Sequence, residues 1–344
     1  MKKILVSDVT LRDGNHAVHH KINLGVIKKY SQFAEDSGID ILEVGHGNGI
    51  GASSLSIGRA AVSDKVFIKS VRKILRNTKL SIHSIPGFST LEDLKCGLDL
   101  GVDIFRIGCN STEIDIIAKQ VEFCKKNKKE VWGVLMMFHL IIPQKEYLKK
   151  INFLLSLGIK TIIIMDSAGC LVPSDVKNIF LNLKKINANF GFHAHNNLGY
   201  SIANTMEAIK YGASIFDASI KGFGAGAGNA QLEILLTLLM GSKLKKINAN
   251  NLEKIYKMSE NFSLLLKKNK IVYSNSFVEP MNILSAKYGV FSGFSSHVNN
   301  FANNLKISKL HAFKAIGEKK LVAGQEDLIM NIMYNLKRNK ITNL

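Results

Sequence analysis

Two short stretches hold most of the side chains able to do chemistry. Residues 6–20, VSDVTLRDGNHAVHH, crowd Asp8, Arg12, Asp13, His16, His19 and His20 behind a short apolar run. Residues 193–195 read HAH, two imidazoles one residue apart. Side chains at i and i+2 of a strand point to the same side, so His193 and His195 can converge on one ion. Two imidazoles and one carboxylate leave coordination positions open for substrate and water, as a catalytic metal requires. Asp13, in the RDG turn, completes such a set. The same donors serve non-haem iron oxygenases, and a hydrogen-bonded histidine pair with Asp13 as an ordinary cap stays open as the plain alternative. Beside a metal, Arg12 has a use of its own, because a guanidinium next to an oxyanion stabilises charge as an enolate develops. His16 has the chemistry of a general base.

Residues so far apart in the chain need a scaffold that closes on itself. Four phrases repeat, SGIDILEV (37–44), LGVDIFRI (100–107), LGIKTIII (157–164) and YGASIFDA (211–218), each a helix ending at glycine and then a buried strand. Their glycines, Gly38, Gly101, Gly158 and Gly212, lie roughly 55–65 positions apart, about twice a βα unit, so further strands must lie between them. KILVSD (3–8), KLSIHS (79–84), EVWGVLMMF (130–138) and NFGFHAH (189–195) fill the series to eight. Ile27, Tyr30 and Ala34 share one face of a helix over 24–37. The spacing predicts a TIM (β/α)8 barrel over residues 1–244, followed by a helical C-terminal region over 245–344 with helices at 252–268 and 325–337. In such a barrel strand eight alone separates strand seven from strand one, so HAH and the RDG loop meet at the mouth.

The other loops after strands are candidates for the same mouth. DSAG (166–169) offers Ser167 to a substrate, EVGHGNG (43–49) carries a Glu43 read as structural, and GFGAGAGN (222–229) brings backbone close to a ligand with Asn229 as the cap of the next helix. The last stretch lacks both the Walker lysine and the dinucleotide pattern, so it does not read as a phosphate cradle.

Composition narrows the class. With 46% hydrophobic residues in 344, the chain buries a large core. Cys96, Cys109, Cys124 and Cys170 form no CxxC pair, which argues against a zinc ribbon or a disulfide framework and suits a reducing cytoplasm. The N-terminal apolar run breaks at Ser7-Asp8, too early for a signal peptide, and no stretch is long enough to span a membrane. The net charge of +19 is lysine scattered without aromatic interleaving, a solvated basic surface rather than a nucleic-acid site.

Taken in order, TLRDGNH, EVGHGNGIGASS, LMMFHL, DSAG, FHAHNNLG, DASIKGFGAGAGNAQLE and VAGQEDLI resemble the 4-hydroxy-2-oxovalerate aldolase family along nearly the whole chain. The RDG and HAH elements alone indicate the wider superfamily of hydroxymethylglutaryl-CoA lyase and isopropylmalate synthase; His16 and GQED narrow it. The resemblance implies a cytoplasmic lyase with a divalent metal, manganese first and magnesium or cobalt next, held by Asp13, His193 and His195 and chelated by a 2-keto acid. It implies that His16 takes the C4 hydroxyl proton, that Arg12 steadies the pyruvate enolate, and that pyruvate and a short aldehyde are released. It also implies an acylating aldehyde dehydrogenase as partner in a homo- or hetero-oligomer. The chain departs from the family where GVFSGF stands for GVYSSF, placing Phe291 where a tyrosine is usual, and where SIHSIPG puts His83 and Ser84 in a leucine-rich segment. Both departures fall near the expected aldehyde end: Phe291 removes a hydroxyl that positions substrate, whereas His83 and Ser84 make the segment more polar, which points to an altered aldehyde, more polar than acetaldehyde. Tyr288, three residues before Phe291, is expected to supply the missing phenol if the segment is helical. The competing readings are an acyl-CoA condensing enzyme or lyase of the superfamily, and a non-catalytic barrel that binds a dehydrogenase or a polyanion.

Overall fold

The computed structural model describes residues 4–241, 249–273 and 278–341. Eight parallel strands close into a TIM barrel in sequence order: β1 (Leu5–Asp8), β2 (Ile41–Val44), β3 (Lys79–Ser84), β4 (Ile104–Asn110), β5 (Glu130–Met136), β6 (Thr161–Asp166), β7 (Asn189–Ala194) and β8 (Ile215–Ala218). Closure comes from β1 pairing with β8, Leu5 opposite Ile215 through Asp8 opposite Ala218. Every residue of β2, β4 and β6 is buried, as expected when helices cover the outer face of a parallel sheet.

The outer helices are α1 (Leu24–Asp36), α2 (Asp64–Arg72), α3 (Leu91–Asp99), α4 (Ala118–Lys126), α5 (Gln144–Ser156), α6 (Pro173–Leu183), α7 (Ser201–Lys210) and α8 (Leu232–Gly241). Asn23 starts α1 by accepting the Val26 amide at 3.1 Å, and Val26, Ile27, Tyr30 and Ala34 form its buried face. The four repeated glycines take the left-handed conformation just past the ends of α1, α3, α5 and α7, with φ between 68° and 106°. They turn each chain back into the next strand.

Two boundaries differ from expectation. β5 stops at Met136 because Met137 adopts a left-handed conformation, φ 50°, and turns the chain into a short 3-10 helix at Phe138–Ile141. His195 lies one residue beyond β7, held by a bridge to Asn229 rather than by the ladder.

Beyond the barrel come α9 (Ala249–Lys268), α10 (Pro280–Lys287), α11 (Ser295–Asn304), α12 (Lys309–Glu318) and α13 (Glu326–Ile341). α9 lies against α1 and α8, on the barrel side, while α10 to α13 pack on one another. The boundary expected at 244/245 lies outside the described residues. The segment joining α10 to α11 docks on the barrel loop after β6. Ser292 donates to the Ser167 carbonyl from its amide at 3.0 Å and its hydroxyl at 2.7 Å, and Asn197 Nδ2 donates to Ser292 Oγ at 2.9 Å. Among the described residues no helix is long and apolar enough to cross a membrane.

Candidate active site

The donors expected to converge do meet. Asp13, His193 and His195 are buried and each offers one ligand atom, all within 4.8 Å of one another. His193 Nδ1 lies 2.9 Å from Asp217 Oδ2, and His195 Nδ1 lies 3.3 Å from the Gly228 carbonyl oxygen. Both oxygens only accept, so both protons sit on Nδ1 and both Nε2 lone pairs face inward, 3.4 Å apart. Facing lone pairs beside the Asp13 carboxylate repel one another unless a cation lies among them, and the donor set therefore fits a divalent metal. Burial alone would raise the Asp13 carboxyl, but the Arg12 guanidinium holds it well below the usual carboxylate range. Burial, set against the attraction of Asp13, pushes His195 down to about 4, leaving the ring neutral and able to ligate.

Asp13 is fixed by groups from the other end of the barrel sequence. Its Oδ1 accepts the Ala225 amide and Asn229 Nδ2, each at 3.1 Å. At Gly224 a Cβ atom would lie 2.8 Å from that oxygen and 2.3 Å from Asn229 Nδ2. The glycine-rich loop is thus a sleeve around a carboxylate. Asn229 does not cap α8, which begins three residues later at Leu232; its Nδ2 also donates to the Phe223 carbonyl, and its buried Oδ1 has no partner among the described residues.

A buried chain of alternating charge surrounds this set. Arg12 Nη1 donates to Asp13 Oδ2 at 2.6 Å and its Nε pairs with Glu43 Oε1. The other Glu43 oxygen lies 2.7 Å from Arg106 Nη1, and Arg106 grips Asp217 through Nη1 at 3.0 Å and Nη2 at 2.5 Å. Asp217 returns to His193, and His193 Nε2 is 3.9 Å from Asp13 Oδ2, closing the ring. Arg12 Nη2 takes no part in it and is buried with no partner among the described residues, a donor free for an oxyanion. Sequence reasoning passed over Arg106 and Asp217. The signal was a lone charge in each of two buried strands, IFRI and IFDA, since a charge facing a barrel interior must find a partner.

His16 lines a cavity of about 470 Å³ between the barrel mouth and α10, α11 and the start of α13. Burial, opposed by Asp13, pushes its pKa down to about 3, so the ring is neutral at neutral pH. The loop after β2 shapes its seat. A Cβ at Gly47 would touch the His16 ring at 2.6 Å, and the Gly47 carbonyl accepts from Arg12 Nη1 at 3.3 Å. Behind His16, His20 stacks on His46 with ring centroids 3.5 Å apart.

The remaining expected residues are placed differently. Phe291 is buried, lines the same cavity and stands edge-on to Phe294. Ser167 is buried, and its hydroxyl accepts the Met137 amide at 2.9 Å while its carbonyl anchors Ser292. Tyr288 is not brought to the cavity. α10 ends at Lys287, Gly289 takes φ 62°, and the helical spacing that would have put residues 288 and 291 on one face does not exist. Tyr288 instead packs its backbone against Gly317 of α12, with Lys287 Nζ over its ring. Asp8, at the end of β1, faces outward, bonded to Thr10 and to the Tyr30 hydroxyl at 2.7 Å.

A closed eight-stranded barrel whose mouth gathers an Asp-His-His set, an arginine with one free donor and a neutral histidine defines a class of barrels able to hold a divalent cation beside an oxyanion. Residues 3–261 match the HMGL-like family and residues 276–338 match a DmpG-like communication domain. Similar proteins include a 4-hydroxy-2-oxovalerate aldolase from Spirochaeta aurantia, 43% identical over 97% of this chain and 96% of the relative. Another, from Pectobacterium atrosepticum, is 40% identical over 98% of this chain and 97% of its own length. Among solved structures, the N-terminal domain of a proposed aldolase from Bacteroides vulgatus superposes with a TM-score of 0.71 at 25% identity, covering 88% of this chain and 98% of that one. The carboxyl transferase domain of Rhizobium etli pyruvate carboxylase, solved with pyruvate, gives 0.83 at 15% identity over 98% of this chain and 61% of that one, a likeness of fold alone. The chain belongs to the HMGL-like family and, within it, to the 4-hydroxy-2-oxovalerate aldolases.

Proposed function

We propose that this chain is a divalent-metal-dependent aldolase that cleaves, or forms, a 4-hydroxy-2-oxo acid, with pyruvate and a short aldehyde as the other side of the reaction. The observation that carries this reading is the shared buried site of three converging ligand atoms and the free Arg12 Nη2. Asp13, His193 and His195 would hold the cation, manganese in our reading, which supplies Lewis acidity to the keto group of the substrate. Arg12 Nη2 donates to the oxygen on which charge builds as the C3–C4 bond breaks. His16 accepts the proton of the C4 hydroxyl; the O–H electron pair becomes the carbonyl π bond of the aldehyde, and the C3–C4 pair enters the enolate. A proton taken up at C3 then gives pyruvate. Phe291 lines the aldehyde side, and Ser167 acts through the loop it ties down.

The communication domain over 276–338 supports an acylating aldehyde dehydrogenase as the partner, within a hetero-oligomer. Residues 1–244 then form the catalytic unit and 245–344 the unit that meets the partner and roofs the site. The four cysteines are unpaired, which suits a reducing cytoplasm.

The test is pyruvate release from 4-hydroxy-2-oxovalerate and related acids, with the protein stripped of metal and reloaded with Mn2+, Mg2+ or Co2+. Turnover is expected only after reloading, best with Mn2+, and not in the Asp13→Asn variant. Full activity in chelator would sink the reading, and release of free CoA from an acyl-CoA substrate without pyruvate would move the chain to the condensing enzymes.

A further inference from the structure

The barrel interior beside the candidate metal site holds a polar side chain that the mechanism leaves unused. His83 sits on β3, whose alternation sends it inward beside Arg106, its register partner on β4. Ser84, one residue on, points the other way and is consumed by Gln120 and Ser89 at 2.7 and 2.6 Å. The two polar residues of SIHSIPG therefore differ in kind: Ser84 ties β3 to the helices, whereas His83 faces the site. The residue is 1% exposed, and neither Nδ1 nor Nε2 has a partner among the described residues. The charged and titratable groups close enough to act on it are Arg12, Arg106, His193 and Asp13, which belong to the candidate metal site and the buried ring around it. The loop after β2 covers it from above, since a Cβ at Gly49 would meet the His83 carbonyl at 2.5 Å and its Cδ2 at 3.5 Å.

Leaving a buried imidazole unpartnered forfeits the hydrogen bonds it made to water, a cost that a leucine there does not carry. A ligand that satisfies the ring offsets that cost. In the proposed reaction the oxygens of the simplest substrate already have partners: the metal site and Arg12 for the carboxylate and keto groups, and His16 for the C4 hydroxyl. What remains is the carbon beyond C4. A neutral imidazole presents one donor and one acceptor, and a hydroxyl group presents the same pair in return. Burial and the adjacent guanidinium groups keep the ring neutral.

We infer that His83 forms a hydroxyl-binding subsite for the aldehyde-derived end of the substrate, so that this chain works on 4,5-dihydroxy-2-oxo acids and, in reverse, on α-hydroxyaldehydes in preference to alkyl aldehydes. The inference rests on the aldolase reading and names its substrate class.

Glycolaldehyde and propanal differ by a hydroxyl in place of a methyl and are a matched pair for the test. The Mn2+-loaded protein is given pyruvate with each aldehyde, and the ratio of the two kcat/KM values is taken within each variant, so that a general loss of activity cancels. The wild-type protein is expected to favour glycolaldehyde about tenfold or more, because a site built to bond a hydroxyl rejects an analogue lacking it. His83→Leu is expected to reverse the ratio, and His83→Asn, which keeps a donor and an acceptor, to retain it. A wild-type ratio at or below one overturns the proposal whatever the variants do, and so does an unchanged ratio in His83→Leu; in both cases the aldolase reading stands. Absence of turnover with every aldehyde overturns the aldolase reading and this proposal with it.

Discussion

Arg12 does three things with one side chain, bonding Asp13, pairing with Glu43 and leaving Nη2 free. Arg12→Gln is expected to lower kcat about 10²–10³-fold, the usual effect of removing an oxyanion donor, with a smaller change in KM for the 2-oxo acid. Arg12→Lys is no rescue, because an ammonium cannot reproduce the planar fork that spans two carboxylates. Equal effects on binding and turnover would contradict this role. Arg106 acts only through its neighbours. Arg106→Met leaves Glu43 and Asp217 buried without their shared cation and is expected to cost about 3–5 kcal/mol in urea unfolding of the metal-free protein. A change below about 1 kcal/mol would mean that the ring relaxes without it. At this scale the sequence was readable where residue type and local spacing carry the chemistry, as in RDG and HAH. Asn229 was misread because an asparagine just before a helix looks like a cap, and nothing local reveals that its amide reaches Asp13 across 216 positions.

Loops after strands hold the site, and their glycines set how closely they approach it. Gly224→Ala places a methyl against Asn229 and Asp13 and is expected to weaken Mn2+ binding about 10–100-fold, the range seen when groups supporting a metal ligand are disturbed. Calorimetric titration of the metal-free protein reads this directly, and an unchanged affinity would show that the sleeve yields easily. Ser292→Ala removes one hydrogen bond to the Ser167 carbonyl and one from Asn197. It is expected to cost about 1–3 kcal/mol and to speed amide exchange in α11 while the barrel strands stay protected. Exchange that rises equally in both places would argue against that turn as the local anchor. Strand and helix existence followed from glycine punctuation and apolar runs, since left-handed helix ends demand glycine and buried strands demand Ile, Val and Leu. Tyr288 and Phe291 share a face only on a continuous helix, and the helix ends at Lys287 before the positive φ at Gly289.

The whole molecule keeps many histidines neutral, which sets its response to acid. Burial pushes His16 to about 3 and His46, His139 and His195 to about 4, against about 6.5 in an unfolded chain. Between pH 6.5 and 4 the unfolded chain therefore takes up protons that the folded chain refuses, so this stability is present above pH 6.5 and is lost as pH falls. Burial raises Asp8 and Asp166 to about 6, which works in the opposite direction over pH 4–6, but two carboxyls oppose four imidazoles. The urea midpoint of metal-free protein is expected to drop from pH 6.5 to pH 4.5, by a free energy on the order of a few kcal/mol; a flat profile would mean that the folded state protonates these rings. The closed ring of Arg12, Asp13, Glu43, Arg106 and Asp217 has three carboxylates to two guanidinium groups and so carries one surplus negative charge. A dication reverses that surplus and a singly charged 2-oxo acid cancels what is left, so the interior is electroneutral only with both guests aboard. Each guest is then an inducement to the other: Mn2+ is expected to dissociate more slowly when pyruvate is present, and pyruvate to bind poorly to the stripped protein.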